Sequence, residues 1–380
     1  MVTFAANTVD LKRTLSIVAL SVGKINNHIQ SHALFSIIGE RCNVSSTDED
    51  RVSDSTLTLT AVDGGDTQFT ADPKNLLKIL SSTDLEETQF SYDSMEKTLK
   101  IYTSRTKKAF LSFASFDPDK FLSLSVATLE LKHTITKEIF LDGIKFAQGF
   151  VDEKSEKFSN IFLTEGVLYS GNGNSRAAAF SSPDLIGAPN LIIRKAVLTS
   201  IASMVEKAGL TEIAIKTSDK LIAFSSTDDL HCFGFRNSTS PTVNFPIKTT
   251  APDMPYFNID RILFTKKLNR LSLTSENVGI KMIIKDGENL EMLTVGERPS
   301  FEIVPCVCDS KEPVEFIIQC NPFKAVLSQF KASNIDIYIA KNKCTLLSSA
   351  NIEITEEGSD VPVMKPFTAV SVMALARLIK

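Results

Sequence analysis

LIIRKAVLTSIASMVEKAGLTEIAIKTSDKLIAFSS, Leu191–Ser226, changes its hydrophobic period partway along. Ile193, Val197, Ile201, Met204, Val205 and Ala208 recur at the spacing of one helical face. Ile213 and Ile215 then alternate with polar neighbours, as in a half-buried strand, before a turn at Asp219-Lys220. Arg194 and Lys195 stand at the start of the helical pattern, where the macrodipole disfavours cations. Two positive charges set against the local field need a reason from elsewhere in the molecule.

The same order of helix, strand, polar hairpin and strand occurs five more times. Leu11, Leu15, Val18 and Val22 make an apolar helical face behind a cap at Thr8. Asp72 caps the second helix, Pro73 takes its first turn, and Leu76, Leu77 and Leu80 line its apolar side. The third helix offers Phe140, Ile144, Ala147 and Val151. The fifth offers Phe264, Leu268 and Leu271, and the sixth, from Asn321-Pro322, offers Phe323, Val326, Leu327 and Phe330.

Hairpin signals follow at Glu165-Gly166 and Asp286-Gly287. Helix starts near residues 9, 72, 137, 194, 260 and 322 give a period of about sixty residues, long for a solenoid. Each βαβββ-like unit leaves one apolar side uncovered, so two would pair into a domain and six predict three similar α+β domains. Linkers are expected at Ser123–Thr128 and Thr249–Pro255.

Composition narrows the function. The chain has 380 residues, 43% of them hydrophobic, which suits several packed cores. No apolar run reaches the roughly 18 residues of a membrane span, and the start lacks a signal peptide's apolar stretch. Both features predict a cytoplasmic protein with no membrane partner. Six dispersed cysteines fit reduced thiols, and Cys306-Val-Cys308 lacks zinc-knuckle spacing.

Catalytic motifs are missing as well. GNGNSR lacks the lysine of a phosphate loop and reads as a hairpin turn, and the acidic turns at 48–50 and 63–66 do not match a calcium loop. The four histidines form no HExxH, and no G-x-S-x-G is present. No catalytic residue, metal ligand or cofactor site is predicted.

Charge is distributed unevenly. Over windows 8–22, 71–81, 136–148, 193–208, 259–271 and 321–331 there are fifteen Lys/Arg and six Asp/Glu, in a chain of net charge −4. The basic residues are Lys12, Arg13, Lys74, Lys78, Lys137, Lys145, Arg194, Lys195, Lys207, Arg261, Lys266, Lys267, Arg270, Lys324 and Lys331. They avoid the apolar stripes. A mixed-sign solvated face explains any one helix, but six helices biased alike point to a polyanion that they face. No zinc-finger, RNP or helix-turn-helix pattern is present, so contact with phosphates and not with bases is expected.

LKRTLSIVALSVGKINNHIQSHALFSIIGERCNVSSTD, residues 11–48, resembles the N-terminal repeat of bacterial-type DNA polymerase sliding clamps (beta clamps). There a helix leads through a basic loop into a strand and a Thr-Asp turn, here Thr47-Asp48. The resemblance extends over the whole chain. It implies three similar domains of the DNA-clamp fold, each of two βαβββ repeats, forming a ring as a head-to-tail dimer with helices inside and sheets outside. The domains would span residues 1–127, 128–252 and 253–380, the last with a C-terminal extension from about 368.

Such a ring would encircle double-stranded DNA without sequence specificity and confer processivity on a DNA polymerase without catalysis of its own. The cations named above would then face DNA, joined by Lys24 at the family's arginine position, and the charges at Arg194 and Lys195 would have their reason. A clamp loader and a second copy of the chain are the other implied partners. At family positions, Leu111 and Phe113 would meet the partner copy's Leu271 and Leu273.

A groove for a short apolar peptide is implied at Asn174 and Arg176, at Phe245 and Pro246, and at Val363, Met364 and Pro366. The sequence departs from the family there. Gly-Asn-Gly-Asn-Ser-Arg replaces Thr-Asp-Gly-His-Arg, and Lys365 intrudes before Pro366. This divergence fits a phage or plasmid-borne member acting in a bacterial or infected host cell. The contrasting reading is a three-domain β-rich hydrolase with a site between domains.

Overall fold

The computed structural model describes residues 1–23, 28–121, 129–152, 154–155, 158–172, 176–237, 247–253, 256–273, 279–285, 287–296, 299–310, 312–340, 343–354 and 363–374. Among them one pattern, strand–helix–three strands, occurs six times. The first runs β1 (Val2–Asn7), α1 (Thr8–Val18), β2 (Ala33–Ile38), β3 (Arg41–Thr47) and β4 (Arg51–Thr58). After a short β5 (Ala61–Asp63) come β6 (Thr67–Ala71), α2 (Pro73–Ser81), β7 (Glu87–Asp93), β8 (Thr98–Tyr102) and β9 (Phe110–Ala114).

The third repeat is β10 (Glu130–Thr136), α3 (Lys137–Gln148), β11 (Asn160–Thr164), β12 (Val167–Gly171) and β13 (Arg176–Ser181). The fourth is β14 (Leu191–Arg194), α4 (Lys195–Ala208), β15 (Glu212–Thr217), β16 (Leu221–Ser225) and β17 (His231–Arg236). The fifth is β18 (Tyr256–Asp260), α5 (Arg261–Ser272), β19 (Gly279–Ile284), β20 (Asn289–Thr294) and β21 (Phe301–Cys308). The sixth is β22 (Val314–Gln319), α6 (Cys320–Leu327), β23 (Asn334–Ala340), β24 (Lys343–Ile354) and β25 (Val363–Ala374). The α+β class and the repeat predicted from periodicity are both present.

Local chemistry sets the boundaries. Asn7, not Thr8, caps α1, its side chain accepting from the Val9 and Asp10 amides at 2.9 and 3.3 Å. Thr8 is instead the first helical residue, buried, with its hydroxyl 2.8 Å from that of Thr88. Asp72 caps α2 ahead of Pro73 as expected, accepting from the Lys74 amide at 2.9 Å. The β11–β12 hairpin turns on Glu165 and Gly166 at φ 52° and 76°, the pair of positive values that a two-residue hairpin requires.

The chain forms two compact units. One comprises Met1–Lys137 and Ala196–Ser238. It holds a five-stranded sheet, β5-β1-β7-β8-β9, and an eight-stranded sheet, β10-β15-β16-β17-β4-β3-β2-β6. Phe4, Phe35, Phe69 and Phe90 stack at its centre beneath α1 and α2, with centroids 4.8 to 5.7 Å apart.

The other unit comprises Glu138–Lys195 and Thr239–Lys380. It holds a twelve-stranded sheet, β14-β11-β12-β13-β25-β24-β23-β18-β21-β20-β19-β22. The third repeat apart from its first strand β10 therefore folds with the fifth and sixth, and the fourth apart from its first strand β14 with the first two. Close packing fixes α3 on this sheet. A Cβ on Gly143 would lie 2.6 Å from a Leu168 methyl and 2.8 Å from the Phe180 ring.

The expected C-terminal extension from about 368 is corrected. Thr368–Met373 pair with Ser181–Arg176 of β13, and all of β25 pairs with β24. Ala369, Val370, Ser371 and Met373 are buried. The stretch is an interior strand, not an appendage. The six cysteines are free, and all but Cys308 are buried. No helix among the described residues is long and apolar enough to cross a membrane. The linker expected at Ser123–Thr128 lies outside the described residues.

Candidate functional site

The predicted cations fall into two groups once partners are considered. Lys74 and Lys78 are exposed one turn apart on α2, opposite buried Leu76 and Leu80. Lys12 on α1, Lys145 on α3 and Lys266 on α5 also lie off their helices' buried faces. Among the described residues these five form no ion pair. Arg194 is exposed as the last residue of β14, so only Lys195 of that pair belongs to the helix, and its amide donates to the Ser159 carbonyl at 3.1 Å.

Other cations are already engaged. Arg13 lies 3.5 Å from Asp10, and the Lys331 ammonium pairs closely with the Asp142 carboxylate. Lys267 and Arg270 converge on Glu302 of β21, at 2.6 and 3.5 Å. The Lys267 hydrogen bond holds the Glu302 carboxyl below the usual carboxylate range, and Arg270 adds to the effect. Arg261 donates to the Ala332 carbonyl at 2.7 Å, Lys324 to the Ser272 hydroxyl at 3.1 Å, and Lys207 to the Ser16 carbonyl at 3.1 Å. Lys137 opens α3, and its amide donates to the Thr211 carbonyl at 2.9 Å. Lys331 lies beyond the end of α6.

A broad, shallow cationic depression of about 590 Å³ lies on α5 and α6. Arg261, Lys266, Arg270 and Lys324 line it together with Asn269. Such a surface suits an extended polyanion. Lys24 lies outside the described residues.

The predicted peptide groove is not assembled as expected. Asn174, Phe245 and Pro246 lie outside the described residues. Arg176 opens β13 opposite Met373, whereas Pro366 lies seven residues back along β25, about 23 Å away at 3.3 Å per residue. Val363 pairs with Ile354 at the far end of the strand. Met364 is 54% exposed, and Pro366 borders a separate depression with Ser182 and Ile186. The Pro366 carbonyl accepts the Ser182 hydroxyl at 3.0 Å, and Lys365 pairs with Asp184 at 3.1 Å.

What does gather beside Arg176 is an apolar patch that sequence reading missed. Val370, Leu347, Ala179, Tyr338 and Ile247 form its buried floor, with Val372, Tyr169 and Ala177 partly buried around it. The signal was present in VSVM, where Val370 and Val372 take one face of the strand and Ser371 and Met373 the other.

Of the predicted interface residues, Leu111 is 44% exposed on the edge strand β9, and Phe113 packs partly against the core. Leu271 is 2% exposed, a core residue of α5 facing its own unit, while Leu273 beside it is 86% exposed. Only Leu273 of that pair is at the surface.

The chain matches solved bacterial clamps along its whole length. One match is the DNA polymerase sliding clamp from Caulobacter crescentus, at 15% identity and TM-score 0.74, covering 99% of this chain and 100% of that one. Another is the DNA polymerase III subunit beta from Pseudomonas aeruginosa, at 14% and 0.76, with 99% and 100% covered. The DNA polymerase III beta subunit from Thermotoga maritima matches at 12% and 0.73, with both chains covered in full. The fold is that of these clamps. No protein-family model matches the chain, and no curated protein matches it by sequence.

Proposed function

We propose that this protein is a DNA sliding clamp, a non-catalytic ring of two copies that encircles duplex DNA and tethers a DNA polymerase to its template. The observation that carries the reading is an excess of lysine and arginine on the six helices of a chain with the clamp fold and net charge −4. Cations that form no ion pair among the described residues, such as Lys74, Lys78 and Lys266, are free to exchange counterions for phosphates. Contacts of that kind hold DNA without reading its sequence. The Lys24 loop joins them in this reading. The tether adds no chemistry; it raises the polymerase's effective concentration at the primer end.

Three domains, 1–127, 128–252 and 253–380, would each contribute two repeats. Closure would join edge strand β9 of one copy to edge strand β22 of the other, covering Leu111 and Leu273 and leaving neither edge open. The partly buried Val372, Tyr169 and Ala177, which overlie buried Val370, are where polymerase and clamp loader peptides would dock, with Arg176 at the margin. Action in the cytoplasm follows from a partnership with replicating DNA. The hydrolase alternative finds no support in the fold.

The test loads the protein on nicked circular DNA with a matching loader and then cuts the circle. A ring stays with circles through gel filtration and is lost once the DNA is linear. Equal loss from circles and linear DNA as salt rises would leave only electrostatic adhesion. Light scattering checks closure, since two copies are expected and Leu273→Glu should yield one. A trimer would contradict the reading.

A further inference from the structure

Between α3, the end of α6 and the twelve-stranded sheet lies a cavity of about 110 Å³. Its walls are aromatic. Phe146 meets Phe330 edge to face at 5.2 Å, and Phe180 stacks on Phe367 at 5.2 Å. Ser348 of β24 also lines it, is 4% exposed, and its Oγ has no hydrogen-bond partner among the described residues. A buried hydroxyl left unsatisfied carries its full desolvation penalty, so this wall favours any occupant that supplies the missing bond.

Size and charge restrict that occupant. An apolar cavity of about 150 Å³ takes up benzene, so this smaller one has room for no more than a single six-membered ring, whose substituent would project through the mouth. At the mouth the Lys331 ammonium is neutralised by Asp142, whereas Lys145 is exposed and forms no ion pair among the described residues. The walls therefore ask for a ring, the floor for a hydrogen-bonding group on it, and the rim for an anion.

We propose that this cavity is a binding site for a monocyclic aromatic acid with a ring hydroxyl, of the 4-hydroxybenzoate class. The ring sits among the four phenylalanines, its hydroxyl bonds Ser348 Oγ, and its carboxylate meets Lys145. Nothing in this assignment depends on the DNA-tether reading, because binding is measured on the protein without DNA.

Calorimetric titration of the full chain with 4-hydroxybenzoate should show one site per chain with a dissociation constant of about 1 mM or tighter. Benzoate, which lacks the hydroxyl, should bind about fivefold more weakly. Ser348→Ala should bring 4-hydroxybenzoate down to the benzoate value while leaving benzoate unchanged. Lys145→Gln, at an exposed position where folding is not at stake, should weaken both acids. No binding at about 10 mM ligand, equal affinity for the two acids, or equal losses for both with Ser348→Ala would overturn the proposal. So would a crystal soaked with ligand in which only water reaches Ser348 Oγ.

Discussion

Asp54 sits in β4 opposite Cys232 of β17, and burial pushes its carboxyl up to about 6 despite a hydrogen bond from Ser45. The folded chain thus holds this proton to higher pH than the unfolded chain, so stability is lost as pH rises from about 4 through 6. Asp54→Asn should leave the urea midpoint nearly unchanged at pH 4 and stabilise by about 2 kcal/mol at pH 7.5. An equal offset at both pH values would mean that ionisation is not the cause. Nothing in the sequence marks Asp54, because its burial depends on a strand pairing that spans 178 positions. The same holds for Lys331 with Asp142 and Lys267 with Glu302. The lysines were legible as a surface set, but which of them remain uncompensated is decided by distant acids.

Helices were read well at the level of elements, since a period of 3.6 and a capping Asp act locally. The cap at Asn7 was missed by one position, as an Asn-Thr pair offers two oxygens suited to the role. Strand β25 was misread for a more instructive reason. The extension from about 368 rested on the resemblance alone, since the family's chain ends soon after the strand that VPVMKPF matches, and Pro366 within that strand cannot donate to a ladder. In the fold, β13 reaches only to Thr368, so at Pro366 the strand has β24 alone as neighbour and one side of its backbone needs no donor. The rule holds locally, and the strand continues past it into the sheet interior. Removing Thr368–Lys380 should therefore not trim a tail but unpair β13 and uncover Phe180. Loss of cooperative unfolding and of soluble yield is expected, and a truncated protein with the full-length melting profile would contradict the assignment.

For the whole molecule, the division between engaged and unengaged cations makes a quantitative forecast. In the plot of log affinity for duplex DNA against log salt, Lys74→Gln with Lys78→Gln should flatten the slope by up to about 2, close to 0.9 per phosphate contact. Lys267→Gln should change it much less, because Glu302 already neutralises that ammonium. Equal effects from all three lysines would show that the pairs open on DNA. Assembly order follows from the position of β25 between β13 and β24. Both neighbours leave the ribosome before the strand that joins them, and β13 does so well over a hundred residues earlier. Until then the nascent chain carries two unsatisfied backbone ladders, each able to capture a strand from a neighbouring molecule. Correct maturation of this half of the protein thus waits on one late segment, and chaperone dependence should concentrate in that interval of synthesis.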